Sequence, residues 1–93
     1  MPKTSKLSKA PPFAVEDSLI KLGRNLRTAR LRRNMTIAEA AEKIGAGVRA
    51  VSDAEHGKAT TAISVYVALL WAYDLLADFG EVGDPLQDEE GLR

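Results

Sequence analysis

The sequence predicts an all-α domain of five helices, preceded by a flexible basic arm and followed by a short acidic tail. Three observations carry that prediction. From Ser18 to Val82 the apolar residues return at three- and four-residue spacing, the period of helices with one buried face. Asn34, Gly45 and Gly57 interrupt the pattern, and these residue types tolerate the left-handed conformation in which many helices end. No stretch alternates apolar and polar residues in the manner of a half-buried strand.

The elements follow in order. Residues 1–17 read as the arm: the first fifteen hold three lysines, two serines and three prolines without helical period. Such a segment is either simply disordered or lies along a phosphate backbone or in a minor groove. The domain proper is expected over residues 18–83. Its first helix opens at Ser18 as N-cap and places Leu19, Leu22, Leu26 and Ala29 on one face. The second opens at Thr36 with the capping box Thr36-Ile37-Ala38-Glu39 and buries Ile37, Ala40, Ala41 and Ile44 before Gly45. The third runs from about Gly47 to His56 and turns Val51 and Ala54 inward. The fourth begins near Thr60 or Thr61 and carries Ile63, Tyr66, Leu69, Leu70 and Tyr73. Asp74 marks a turn into a short fifth helix with Leu75, Leu76, Phe79 and Val82. Residues 84–93 form the acidic tail.

Composition excludes several classes of function. At 93 residues there is room for one small domain, which buries about 60–65% of its unfolded surface and gains from dimerisation. The absence of cysteine removes disulfides and thiolate chemistry, and a lone histidine, His56, makes no multi-histidine metal site. No cofactor is expected. No acid/base pair is forced together, no glycine loop cradles a phosphate, and Ser52 with His56 is too little for a nucleophilic site; the chain reads as a non-enzyme. It lacks a membrane-spanning apolar run and a signal-peptide core, so a cytoplasmic location is expected.

The formal net charge of zero conceals a strong asymmetry. Residues 1–34 carry a balance of +7, residues 35–73 a balance of −1, and residues 74–93 a balance of −6. Opposite ends of opposite sign suit a basic face for an anionic partner and an acidic face directed elsewhere. Solvation of both ends is the alternative.

Two short helices joined by a tight turn over Thr36–Gly57 cross steeply, so that the second projects outward. The spacing of Ala41, Gly45, Val51 and Glu55-His56-Gly57 resembles the helix-turn-helix of the Xre, or lambda-repressor-like, family. Arg30 and Glu55 also match that pattern. The resemblance implies that Arg30 and Glu55 form a structural ion pair, and that the projecting helix enters a DNA major groove. By position, Gly47, Val48, Arg49, Ser52 and Asp53 then face base edges. Arg49 is placed to donate two hydrogen bonds to guanine; a phosphate contact or a solvated side chain is its alternative. Val48 either touches a thymine methyl or begins a partly buried helix. Asp53 either accepts from cytosine or orients Arg49. Thr36, His56 and Lys58 stand where the family contacts phosphates, and Arg27 adds to them from the first helix. Ile37 departs from the family, which has a glutamine there, and Gly47 replaces a serine or threonine cap.

The stretch from Ser64 to Phe79, with Gly83-Asp84-Pro85 and Gly91-Leu92 after it, is similar to HipB-type antitoxins encoded beside HipA-like kinases. That resemblance implies an autoregulating repressor, a homodimer on a palindromic operator, and a HipA-like serine/threonine kinase toxin as partner. Trp71, Leu75, Phe79 and Val82 form an apolar stripe suited to a two-fold interface; completion of the monomer core is its alternative use. Two other readings stay open: a stand-alone phage or plasmid-type repressor, and a helix-turn-helix protein-interaction module without DNA binding. Ile37, Gly47 and Asp53 favour the last.

Overall fold

The computed structural model describes residues 5–92. Among them the chain forms α1 (Lys6–Lys9), α2 (Phe13–Arg32), α3 (Ile37–Ile44), α4 (Val48–Glu55), α5 (Ile63–Ala72) and α6 (Leu76–Gly80), then two 3₁₀ turns, Pro85–Gln87 and Glu90–Leu92. No strand is present among the described residues. The architecture is all-α, with six helices where the sequence predicts five.

The extra helix and the largest boundary correction both lie in the expected arm. α2 starts at Phe13, five residues ahead of Ser18, with Pro12 as its N-cap residue. Ser18 therefore sits inside the helix, and its Oγ donates to the Ala14 carbonyl at 2.8 Å instead of capping. Ser5 caps α1 by accepting from the Ser8 backbone N–H. Residues 1–4 of the arm and Arg93 of the tail lie outside the described residues. A second correction concerns α5. It begins at Ile63 with Ala62 as N-cap residue, two positions beyond Thr61, and the Thr61 hydroxyl is buried instead of serving as a cap.

Elsewhere the local signals operate as physics requires. At α3 the Thr36 hydroxyl accepts from the Glu39 N–H at 3.0 Å, and the Glu39 carboxylate accepts from the Thr36 N–H at 2.9 Å. The two bonds satisfy amides that the first helical turn leaves without partners. The Thr36 backbone N–H, and after it the Thr36 hydroxyl, hold the Glu39 carboxyl below its ordinary pKa, because hydrogen bonds donated to the carboxylate favour its charged form. Asn34, Gly45, Gly57 and Asp74 all have positive φ, so each marks a point where the chain leaves a helix and turns.

The core sits where α2, α3, α4 and α5 meet. Leu26, Ala40, Val51, Ala54, Leu69 and Tyr73 are essentially sealed from solvent. The small Ala40, Ala41 and Ala54 let the helices cross closely, while Leu26, Leu69 and Tyr73 fill the space between them. At one crossing two backbones touch. A β-carbon on Gly23 of α2 would stand 2.6 Å from the carbonyl oxygens of Ala54 and Glu55.

Candidate nucleic-acid interface

The helix after the turn at Gly45, α4, is eight residues long and has two unlike faces. Val51 and Ala54 point inward with no exposure. Val48 and Arg49 are exposed, and the Arg49 side chain is 86% accessible. Ser52 and Asp53 are half-buried between these two faces. Gly47 stands at the N-cap in extended conformation and offers no side-chain cap bond. All five residues assigned to base edges therefore lie at the start or on the outer side of one short helix. Gly47, Val48 and Arg49 are its open part.

Three ties fix the direction of this helix. Arg30 on α2 donates from Nε to Glu55 Oε2 at 2.6 Å and from Nη2 to Oε1 at 3.1 Å, a bidentate bond at the C-terminal end of α4. Its remaining nitrogen, Nη1, donates to the Met35 carbonyl at 2.8 Å. Both side chains are buried, and the carboxylate bond raises the Arg30 pKa further above its already high value. The second tie is the backbone contact at Gly23. The third comes from α5, where the Tyr66 hydroxyl donates to the Lys58 carbonyl at 2.8 Å. Burial pushes the Tyr66 phenol pKa up from a value already well above neutral.

Charge at the outer face is concentrated on one carboxylate. Asp53 Oδ1 lies 3.6 Å from Arg49 Nε and 3.2 Å from Lys58 Nζ. Asp53 thus sits between two cations, which offsets its repulsion of an approaching polyanion and draws Arg49 along the helix. Around the corner, α2 and α4 bound a cleft of about 560 Å³ lined by Arg24, Arg27, Ser52 and His56, with Ile20 and Ile37 as its apolar wall. The His56 Nδ1 is 2.7 Å from the Ser52 carbonyl. Arg27 and His56 are exposed here, while Thr36 is exposed at the start of α3 and Lys58 beyond α4. Arg24 was not among the residues singled out from sequence. Its signal was its helical spacing of three from Arg27 on the same helix.

The apolar stripe late in the chain divides. Leu75, Phe79 and Val82 line one groove of about 590 Å³ with Leu19, Leu22 and Leu70. Trp71, 56% exposed, is not among the residues lining it. Phe79 and Val82 are likewise exposed, whereas Leu75 packs against the core, so the stripe completes the monomer core only at Leu75.

One further residue, Arg33, carries no signal in the sequence reading. Arg33 donates from Nη1 to the Ala29 carbonyl at 2.9 Å and from Nη2 to the Tyr73 carbonyl at 2.6 Å. Its guanidinium lies 5.5 Å from the centre of the Tyr73 ring, so the ends of α2 and α5 are held together by hydrogen bonds and a cation–π contact. A lone arginine after a helix gives no sequence signal of this kind.

No described helix is long and apolar enough to cross a membrane. Residues 21–78 match the family model described as a helix-turn-helix domain. No curated protein matches the chain significantly, and no solved structure does so. The family match runs from α2 into α6, includes α3 and α4 whole, and covers more than half of the sequence. The chain belongs to the helix-turn-helix domain family, an architecture that points to a DNA-binding regulator.

Proposed function

We propose that this protein is a sequence-specific transcriptional repressor that binds a palindromic operator as a cytoplasmic homodimer and has no catalytic activity of its own. The observation that carries the reading is the two-faced α4. Its inner side is sealed by Val51 and Ala54, its end is clamped by Arg30 and Glu55, and its outer side presents Val48 and Arg49. A rigid helix with an open polar side fits the major groove, where base pairs display distinct donors and acceptors. In this reading Arg49 reads guanine, with Asp53 orienting it, while Gly47, Val48 and Ser52 approach neighbouring bases. Arg27, Thr36, His56 and Lys58 contact phosphates on either side. The dimer forms through Leu75, Phe79 and Val82, with Trp71 at its margin.

The similarity of about residues 18–93 to HipB-type antitoxins, carried mainly by Ser64–Phe79 and the segments after it, supports a narrower proposal, that the repressor is the autoregulating partner of a HipA-like serine/threonine kinase. Nuclease protection of the DNA upstream of the protein's own coding sequence tests the central reading. A protected, two-fold symmetric site supports it; uniform cleavage along the fragment rejects it. Co-purification with a kinase encoded next to it tests the narrower one, and recovery of the free chain alone rejects that partnership.

A further inference from the structure

Two apolar features of the molecule lack a partner within one chain. The first is the groove between α2, α5 and α6, whose walls include Leu22, Leu70 and Phe79 and whose rim carries Asp78 and Val82. Val82 is 74% exposed there. The second is the start of α2. Residues 13–18 are exposed throughout, and Phe13 is 81% accessible. A phenylalanine at the free end of a helix is costly in water unless something covers it.

The chain cannot close its own groove with this residue. Phe13 and Leu22 belong to the same unbroken helix, and nine residues at about 100° each place them on opposite sides of it. Leu22 faces the groove; Phe13 points away. A second chain is under no such restriction. Charge favours the same match. The segment ahead of Phe13 carries Lys6 and Lys9, whereas the groove rim carries Asp78 with Glu81 just beyond, and α6 has no basic residue.

We propose that the groove of each chain receives the N-terminal segment of a second copy, with Phe13 seated against Leu22, Leu70 and Phe79 and with Lys6 and Lys9 facing Asp78 and Glu81. The exchange is reciprocal, so one surface match occurs twice about a two-fold axis. Doubling matters, because stable interfaces bury roughly 1,200–2,000 Å² and two seated arms bury twice the area of one. This inference rests on the dimer in the function proposed above and specifies what fills its interface. It assigns the basic segment to a protein surface instead of to DNA.

The chain has no cysteine, so introduced thiols report without background. Ala14→Cys and Glu81→Cys, both at exposed positions, are prepared separately, mixed at micromolar concentration and oxidised. The expected result is a disulfide between the two variants at least fivefold more abundant than either self-pair, and its loss when Phe13→Glu is added to the first variant. Phe13 is solvent-exposed, so Phe13→Glu should leave the helical circular dichroism unchanged. Sedimentation of the native chain separates the failures. A dimer that gives no excess of mixed disulfide overturns the arm exchange and leaves the dimer standing. A monomer at every concentration overturns both. A mixed disulfide that survives Phe13→Glu overturns the seat assigned to Phe13.

Discussion

Gly23 on α2 and Gly57 beyond α4 meet backbone to backbone: a β-carbon on Gly23 would stand 2.8 Å from the Gly57 nitrogen. The contact seats the C-terminal end of α4 directly on α2 and sets the angle at which α4 projects. Gly57 has a second constraint, because its φ is +67° and a side chain there would run into the Leu19 carbonyl. Gly45 shares the positive φ, at +72°, but has open space around it. Three alanine variants separate these effects. Gly45→Ala should cost about 1 kcal/mol from the left-handed backbone alone. Gly23→Ala should cost about 2–3 kcal/mol from forced separation of the helices, and Gly57→Ala, which suffers both effects, should cost more than Gly45→Ala. Urea denaturation measures all three, and equal losses at Gly45 and Gly57 would contradict the close contact.

The Arg30–Glu55 pair should act as a unit. Removing either partner leaves a buried charge without its counterpart, which costs about 3–5 kcal/mol. Arg30→Met and Glu55→Met should each fall in that range. The double variant should recover much of the loss, although the Met35 carbonyl still lacks the Nη1 donor. A double-mutant cycle reads the coupling, and strict additivity would show that the two side chains act independently.

On the outer face of α4, Asp53 restrains two cations at once. Asp53→Ala should barely change stability, by less than about 1 kcal/mol, because the pairs are partly solvated. Its effect should appear in DNA binding. With Arg49 and Lys58 released and one negative charge removed, affinity for a scrambled duplex should rise severalfold while preference for the operator narrows. Titration against both duplexes checks this. A fall in affinity for the scrambled duplex would be incompatible with the placement of Asp53.

Acid should loosen α3 through its capping box. The Glu39 pKa lies lower in the folded chain than its ordinary value. The stabilisation is therefore complete above the unfolded pKa and is lost as pH falls through the folded one. Glu39→Gln retains an acceptor for the Thr36 N–H but cannot titrate. The variant should unfold with a shallower pH dependence than the native chain below about pH 4.5. Thermal melts between pH 2.5 and 6 measure the difference, and parallel curves would rule out a titrating cap.

Much of this arrangement was legible in the sequence because its causes are local. A capping box needs four residues, and a left-handed turn needs one, so Thr36, Glu39, Asn34, Gly45 and Gly57 announced themselves. The outer face of α4 followed from periodicity once Val51 and Ala54 were placed inside. What stayed hidden depends on distant partners. Gly23 inside a helix reads as a flaw until Gly57 is seen to rest on it. Pro11-Pro12 reads as a break, yet proline at the N-cap leaves the helix behind it intact. Arg33 looked like one more basic residue until Tyr73 arrived from forty residues away. The apolar stripe was legible as a set, but the left-handed turn at Asp74 separates Trp71 on α5 from Leu75, Phe79 and Val82 around α6, which line one groove.

The most direct test of the account is the salt dependence of binding to the upstream operator, measured for the native chain and for Arg49→Ala. A dimer using Arg27 and Lys58 of each protomer on phosphates should give a log–log slope on the order of −4, at about −0.9 per phosphate. Arg49→Ala should weaken operator binding by about 1–3 kcal/mol and relax base preference at one position in each half-site, with most of the slope retained. Binding that is flat in salt and no tighter to the operator than to a scrambled duplex would contradict DNA recognition by α4.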